Sequence, residues 1–148
     1  MHSKGKVLAV NISRDKGTKK QNVRKCELLA GFGLKGDAHG GRWHRQVSLL
    51  ANESIEKMRQ KGLNADHGDF AENITTEGIN LLGLPIGTIL RVGREAIIRM
   101  TQKGKECHDR CAIYHQMGDC VMPREGVFAE VLHPGQIAEG DSIEVVER

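Results

Sequence analysis

Aromatic residues are scarce in this sequence, which contains one Trp, one Tyr and three Phe among 148 residues. Domains that bind single-stranded nucleic acid stack the bases on aromatic side chains, and duplex-binding domains cluster many basic residues. A net charge of +3 is only a mild basic excess. We therefore expect no nucleic-acid partner and consider an anionic small-molecule ligand the better match.

Long hydrophobic runs are also missing. The apolar run at residues 7–10 is much shorter than a signal-peptide core or a membrane span of about 20 residues. We expect a cytoplasmic protein without membrane association. In that compartment the four cysteines stay reduced, which favours metal binding or thiol chemistry over a disulfide framework. Cys26, in the strand-like run 23–29, is expected to be a small buried hydrophobic residue.

Proline is rare, with three residues in the chain, and no linker rich in Pro or Ser interrupts the sequence. The length matches one domain, which we assign to residues 1–148. Short aliphatic and β-branched runs alternate instead with Gly, Asn, Asp or Pro, a pattern typical of strands and turns. The predicted strands are 6–12, 23–29, 46–51, 72–76, 88–92, 95–101, 127–133 and 142–147.

About eight short strands at this spacing predict a mainly β fold, namely a closed or nearly closed β-barrel, rather than a doubly wound α/β sheet. Two or three short helices are expected beside it. Asn52 is predicted to cap a helix that runs to Lys61, because acidic residues open this segment and basic residues close it before Gly62. A second helix is predicted at residues 107–117.

The first segment with chemical potential is the glycine-rich loop 35–45. Small residues let backbone N–H groups approach an anion, and Arg42 or Arg45 can clamp phosphate or carboxylate oxygens. The loop has neither the Walker nor the dinucleotide-binding spacing. A plain hairpin loop with solvated charges is the alternative interpretation.

The second segment places Glu72 and Asn73 at the entry to a strand. The Asn73 amide can donate and accept hydrogen bonds, which suits either the fixing of a polar heterocycle or the pinning of a loop. Taken alone, it indicates a turn.

The third segment holds three of the four cysteines, at positions 107, 111 and 120. Nearby positive charge and a helix N-terminus both lower a thiol pKa, so Cys107 is expected to be a reactive thiolate. Such a thiolate suits a persulfide carrier, a soft-metal ligand or a redox switch. The cationic or imidazole neighbours are Lys103, Lys105, His108 and Arg110.

A metal site built from Cys107, Cys111, His115 and Cys120 is an alternative. Residues at i and i+8 of a straight helix lie about 12 Å apart, too far to share one ion. A partial site formed by the three cysteines, in a non-catalytic zinc-binding module, remains a further alternative.

Three blocks follow one another along the chain: Lys35-Gly36-Asp37-x-His39, then Gly68-Asp69-Phe70-Ala71-Glu72-Asn73-Ile74-Thr75, then a lone-standing cysteine after a strand. Segments 118–120, 126–131, 134–135 and 140–143 add a closing hairpin pattern. From about residue 7 to 146, this order resembles the MOSC domain, named for the C-terminal part of molybdenum cofactor sulfurases, in a stand-alone, bacterial-type form.

The resemblance implies a strand-rich barrel of the MOSC or pyruvate-kinase β-barrel kind. It also implies that Cys107 carries a persulfide received from a pyridoxal-phosphate-dependent cysteine desulfurase, or ligates molybdenum of a non-covalently held molybdenum-pterin cofactor. The partners would be that desulfurase or molybdenum cofactor enzymes. The residues implied to line the pocket are Gly36, Asp37, His39, Glu72 and Asn73.

The sequence departs from the family pattern where Lys105 and Glu106 stand in place of the Arg and Pro that precede the cysteine in many members. Lys103, Lys105 or Arg124 is then expected to contact the cofactor anion. The implied function is a sulfur carrier or cofactor-binding protein of the molybdenum cofactor pathway. A molybdenum-cofactor-dependent reductase of N-hydroxylated compounds is the alternative.

Overall fold

The computed structural model describes residues 3–104 and 121–147. Its first half contains strands β1 (Lys4–Ile12), β2 (Gln21–Asn22), β3 (Lys25–Leu29), β4 (Gly33–Leu34) and β5 (Val47–Ala51), helix α1 (Asn52–Gln60) and strand β6 (Ile74–Glu77). A 3₁₀ turn (Leu81–Gly83) follows, then strands β7 (Ile89–Val92) and β8 (Ala96–Lys103), helix α2 (Met122–Glu125), and strands β9 (Val127–His133), β10 (Gly135–Ala138) and β11 (Ser142–Glu147).

Seven strands form a closed barrel in the order β11-β7-β8-β9-β5-β6-β1, because β1 also pairs with β11. Strand β2 adds an eighth strand beside β1, and β10, β3 and β4 form a separate small sheet. The prediction of a mainly β, closed barrel is thus confirmed. All barrel pairs are antiparallel except β5 with β6, which α1 connects as a crossover.

The barrel interior is filled with aliphatic side chains. In β8, buried Ile98 and Met100 flank exposed Arg99, the alternation expected of a strand with one face in the core. The two described aromatic side chains of the core, Phe70 and Phe128, lie instead in a second cluster. There they pack with Ile55 and Met58 of α1. The scarcity of aromatic residues is therefore compatible with a well-packed barrel, since Val, Leu and Ile fill it.

Helix α1 confirms the predicted segment, but the predicted cap is wrong. Asn52 is the first helical residue and makes no cap hydrogen bond; its side-chain oxygen lies 3.1 Å from His67 Nε2 instead. The extended residue Ala51 precedes the helix because β5 runs directly into it. The second predicted helix, at residues 107–117, lies outside the described residues. In the part of the chain that is described, no helix has the length and apolar character needed to cross a lipid bilayer.

Eight described strands match the eight predicted ones within a few residues, whereas β2, β4 and β10 were not predicted. Strands of two residues cannot show a period of two. The third unpredicted strand begins at Gly135, a residue type that indicates a turn.

Gly68 joins two segments that the sequence separates widely. Its carbonyl accepts the Lys20 N–H at 2.8 Å, and its N–H donates to Glu72 Oε2 at 2.9 Å. The backbone φ of Gly68 is +88°, and a Cβ atom at this position would clash with the Lys20 carbonyl oxygen. Only glycine fits here without displacing backbone.

We predict that Gly68→Ala lowers the free energy of unfolding by about 2 kcal/mol more than Gly62→Ala does. Gly62 is the matched control because its φ is +94° but a Cβ there would meet nothing within 4 Å. Both variants acquire the strain of a left-handed residue, and only Gly68→Ala adds a clash. Urea unfolding of the two variants measures the difference; equal losses would contradict the packing argument.

Candidate functional site

A cavity of about 240 Å³ lies between the glycine-rich loop, the beginning of β5 and helix α2. Basic and polar side chains share its walls with apolar ones: Lys16, His39, Trp43, Arg45, Ser48, Ala71, Met122 and Phe128. None of the described lining residues is acidic. The cavity therefore combines positive charge with an apolar wall.

Arg45 is the central cation of this cavity. Its guanidinium carbon lies 4.6 Å from the Trp43 ring centroid and 5.7 Å from that of Phe128, and the Lys16 ammonium lies 5.4 Å from the same Trp43 ring. The Arg45 Nε atom is buried and has no hydrogen-bond partner. A buried donor without an acceptor costs about 1–3 kcal/mol, so an acceptor in the cavity would stabilise it.

The loop that carries Arg45 is held by its own side chains. The Trp43 indole N–H donates to the His39 carbonyl at 2.8 Å, and the two rings lie nearly parallel with centroids 6.5 Å apart. The indole N–H of Trp43 is thus hydrogen-bonded within the loop, and its ring contacts Arg45.

Asp37 lies beneath this loop and forms a fully buried ion pair with Lys20, with 2.7 Å between Oδ1 and Nζ. The carboxylate also accepts the Ser13 N–H at 3.0 Å and the His39 N–H at 3.2 Å. The Lys20 ammonium contacts Ser13 Oγ at 3.1 Å and His39 Nδ1 at 3.0 Å. Asp37 therefore holds His39 in place from below and is not among the lining residues.

Asn73 ties two barrel strands together at the cavity floor. Its side-chain oxygen accepts the Ser48 N–H at 2.9 Å, and its amide nitrogen donates to the Asn11 carbonyl at 3.1 Å. The Ser48 hydroxyl accepts the Asn73 backbone N–H at 3.0 Å, and as a donor it lies 3.2 Å from both the Ala71 carbonyl and the Asn73 side-chain oxygen. Asn73 thereby fixes Ser48, which lines the cavity.

Glu72 is fully buried next to Ala71, another lining residue. Its Oε2 accepts hydrogen bonds from the Gly68 N–H at 2.9 Å and the Thr75 hydroxyl at 2.8 Å, while Oε1 has no partner. Burial raises the pKa of Glu72 to about 7, because the hydrogen bonds only partly offset the loss of solvation.

The raised pKa of Glu72 predicts that stability falls as the pH rises from about 4.5 to 7. In this window the folded state binds more protons than the unfolded state, and the full effect is about 3 kcal/mol. Glu72→Gln should flatten this part of the curve of unfolding free energy against pH. Exposed Glu77, mutated to Gln, is the matched control and should leave the wild-type slope in place. Urea unfolding at intervals between pH 4.5 and 8 measures both; a Glu72→Gln curve as steep as wild type would refute the assignment.

The other predicted residues are spread more widely. Lys35, Gly36 and Arg42 are exposed, and Gly36 borders a different cavity beside residues 12–19. Arg124 is exposed on α2. Cys107 and Lys105 lie outside the described residues, as do Cys111 and Cys120. Cys26 lies half-buried on β3 against the barrel core, and burial raises the pKa of its thiol.

Gly104, which follows β8, and Val121, which precedes α2, both have neighbours in or next to helix α2. Gly104, at the end of β8, donates its N–H to the Gly126 carbonyl at 2.6 Å. Its φ is +66°, and a Cβ there would lie 2.6 Å from the Pro123 carbonyl oxygen. Val121 is the neighbour in sequence of the lining residue Met122.

Several residues of the site were not identified from the sequence. Trp43 offered one signal, since it is the single Trp of a chain poor in aromatic residues. Lys20 gave no signal, because it lies outside every motif and nothing distinguishes it from the solvated lysines around it. The remaining unpredicted lining residues are Lys16, Ser48, Ala71, Met122 and Phe128.

A larger cavity of about 390 Å³ lies between α1 and the 3₁₀ turn. Its charged groups have partners within the protein, since Glu53 accepts the Gly78 N–H at 3.0 Å, and Glu125 accepts hydrogen bonds from Ser54 at 2.6 Å and Lys57 at 3.0 Å. Burial raises the pKa of Glu125, but these two contacts outweigh it, and the pKa is lowered overall. No buried polar atom without a partner lines this cavity among the residues described. Nor do three His, Cys, Asp or Glu side chains converge as metal ligands anywhere in residues 3–104 and 121–147.

Comparison with known proteins identifies one family. The model of the MOSC domain matches residues 35–144. The fold is similar to that of the YuaD protein from Bacillus subtilis, with 19% identity, a TM-score of 0.79 and coverage of 96% of this chain and 95% of that chain. No curated protein matches significantly.

Two YiiM structures share the same fold. YiiM from Geobacillus stearothermophilus has 20% identity and a TM-score of 0.73, over 97% of this chain and 76% of that chain. YiiM from Escherichia coli has 20% identity and a TM-score of 0.67, over 98% of this chain and 70% of that chain.

Proposed function

Because this chain belongs to the MOSC domain family, which is associated with the molybdenum cofactor, we propose that it binds the molybdenum-pterin cofactor in the cavity beside Arg45. In this proposal Cys107 serves the bound cofactor either as a thiolate ligand or, once it carries a persulfide, as the donor of its outer sulfur, which leaves the thiol behind. The observation that carries the proposal is the buried Arg45 Nε, a donor without an acceptor in a cavity of positive charge.

The residues fit the chemistry of such a cofactor. Its phosphate and oxo oxygens are hydrogen-bond acceptors with negative charge, and Arg45 and Lys16 offer donors with positive charge. The flat pterin suits a wall of Phe128 and Met122. When bound, the cofactor supplies a metal able to take a sulfur ligand and exchange electrons.

Covalent geometry limits how far Cys107 can lie from the described residue Gly104. Three peptide units separate it from Gly104, so the two Cα atoms are at most about 11 Å apart. Gly104 is hydrogen-bonded to Gly126, which follows helix α2, and Met122 at the start of that helix lines the cavity.

The chain's own residues have distinct roles in this proposal. Arg45 binds an oxyanion, and Lys16 adds positive charge beside the Trp43 ring. Phe128 and Met122 exclude water, which strengthens both interactions. Asn73 and Asp37 act as positioning residues, because they hold Ser48 and His39 without lining the cavity.

We predict that Arg45→Gln reduces cofactor binding about tenfold or more, since a charged hydrogen bond contributes about 1.5–3 kcal/mol. The matched control is Arg42→Gln, which removes one cation from an exposed position of the same loop. Each protein is purified from a host that makes the cofactor, and molybdenum per chain is determined by elemental analysis. Metal-free wild type, or equal losses in the two variants, would contradict the proposed site.

A second prediction concerns sulfur. After incubation with a cysteine desulfurase and cysteine, mass spectrometry should find a reductant-labile added sulfur on Cys107, and Cys107→Ser should lack it. Cys26→Ser is the matched control and should behave like wild type, because burial keeps the Cys26 thiol protonated near neutral pH. Molybdenum binding without added sulfur would assign Cys107 as a ligand, and added sulfur without molybdenum would leave only the carrier role.

A further inference from the structure

We propose that exposed cations beside the Arg45 cavity form a basic rim, which steers an anionic guest toward the cavity and accelerates its binding. The rim consists of exposed side chains in two segments, the turn after β1 (residues 13–20) and the glycine-rich loop (residues 35–45): Arg14, Lys16, Lys19, Lys35 and Arg42. The proposal deepens the proposed function and rests on it for the identity of the guest. The rim itself follows from the charges and contacts of the chain.

Positive charge is concentrated in these two segments. They hold seven of the 22 Lys and Arg residues of the chain but two of its 19 Asp and Glu residues. Their net charge of +5 exceeds the +3 of the whole chain, so the rest of the chain is net negative. Of the two acidic residues, Asp37 is paired with Lys20 and Asp15 is exposed. The basic character of the protein therefore resides in this one region.

Hydrogen bonds join the two segments into one surface. The Ala38 N–H donates to the Ser13 carbonyl at 2.8 Å, and the Ser13 N–H donates to Asp37 Oδ1 at 3.0 Å. The buried ion pair between Lys20 and Asp37 connects the same two segments. The cations of the turn and those of the loop thus belong to neighbouring parts of the surface.

Most of the rim lies outside the Arg45 cavity. Lys16 lines that cavity, with its ammonium 5.4 Å from the Trp43 ring centroid. Arg14 and Lys19 line instead the cavity beside residues 12–19, which has a volume of about 450 Å³. They are not among the lining residues of the Arg45 cavity. Their charge therefore acts on a guest over a distance, during its approach.

The rim cations also differ from other exposed cations in their partners. Within residues 3–104 and 121–147, none of the five rim side chains forms an ion pair. By contrast, exposed Lys57, Arg91 and Arg99 each face a glutamate. A paired cation has most of its distant field cancelled by its partner, whereas an unpaired cation retains it. The field of the rim extends about 10 Å into solvent at 0.1 M ionic strength.

This field selects for anions before any contact with Arg45 is made. A guest that carries a phosphate group has two negative charges to be attracted, whereas neutral molecules are not attracted and cations are repelled. The attraction continues into the cavity, because none of its described lining residues is acidic. Clefts with one sign of charge raise association rates by about 10–1,000-fold. The rim therefore affects the rate of encounter, and Arg45 holds the guest after it has entered.

The field can be measured directly, because Trp43 lines the cavity and is the single Trp of the chain. Its fluorescence is quenched by collision with iodide, acrylamide or caesium, which are an anion, a neutral molecule and a cation. As ionic strength rises from about 0.01 to 0.1 M, we expect quenching by iodide to weaken, quenching by caesium to strengthen and quenching by acrylamide to stay constant. Iodide quenching that does not depend on salt would overturn the proposal.

A double variant tests whether the rim outside the cavity contributes to this field. Arg14→Gln/Lys19→Gln removes two exposed charges and should lower the iodide quenching constant about twofold at low ionic strength, with acrylamide quenching unchanged. The matched control is Lys61→Gln/Arg94→Gln, which removes two exposed charges elsewhere on the chain. It should stay close to wild type. Equal losses in the two double variants would show that total charge, and not the rim, attracts the anion.

The kinetics of the guest are measured by stopped-flow quenching of Trp43, with the isolated molybdenum-pterin cofactor as the probe and air excluded. In Arg14→Gln/Lys19→Gln, the association rate constant should fall about threefold or more at low ionic strength and depend less on salt, with a dissociation rate constant close to that of wild type. An unchanged association rate constant would contradict steering. A change in dissociation alone would contradict it too, because it would mean that these side chains contact the bound guest.

The two experiments separate the rim from the proposed cofactor. A wild-type chain that attracts iodide through Arg14 and Lys19 but does not bind the cofactor would refute the proposed function and support the rim as a surface that attracts anions. Cofactor binding with an association rate that neither salt nor the double variant changes would leave the proposed function in place and refute the rim.

Discussion

The buried ion pair between Lys20 and Asp37 connects the parts of the chain that form the cavity. It joins the segment after β1 to the glycine-rich loop, and the Lys20 backbone joins both to Gly68. Removing one partner of such a pair leaves a buried charge, which typically destabilises a protein by about 3–5 kcal/mol. In general, a protein with a hydrophobic pair of the same volume in place of the ion pair would be no less stable. The role of the charges here is therefore to form the hydrogen bonds with Ser13 and His39.

The motifs noticed in the sequence divide into two groups once their contacts are known. Asp37, Glu72 and Asn73 are buried and bonded to backbone or neighbouring side chains, whereas His39 and Ala71, one or two positions away in sequence, line the cavity. This division has a physical reason. A loop that presents charged side chains to a guest must keep a fixed conformation. Short buried polar residues fix it by forming hydrogen bonds with the backbone of the loop.

The sequence predicted the architecture well because the signals for it are local. Runs such as residues 96–103 alternate inward and outward side chains, and each run is long enough to show that period. The two-residue strands β2 and β4 carry no such signal. Asn52 was predicted to cap α1, but cap geometry depends on how β5 enters the helix, which composition alone does not describe.

For the site, the sequence singled out the glycine-rich loop, part of which lines the cavity, with both Arg42 and Arg45 as candidates, whereas the thiol-bearing segment lies outside the described residues and stays a prediction. The choice between these arginines depends on the direction of the loop around Gly40 and Gly41, which brings Arg45 against Trp43 and leaves Arg42 exposed. Lys20 was beyond prediction for a related reason. Its burial results from contacts with residues 17 and 48 positions further along the chain, and no local pattern reports contacts at that separation.

The pairing of β1 with β11 makes the barrel a ring whose first and last strands are neighbours. During synthesis on the ribosome, one edge of β1 therefore has no hydrogen-bonded partner strand until β11 has emerged. The parallel pair β5–β6 adds a further slow, non-local step to folding. Such a chain gains most of its stability at closure rather than gradually. Until then its open strand edges are the surfaces most exposed to misassembly, and they are natural binding sites for chaperones.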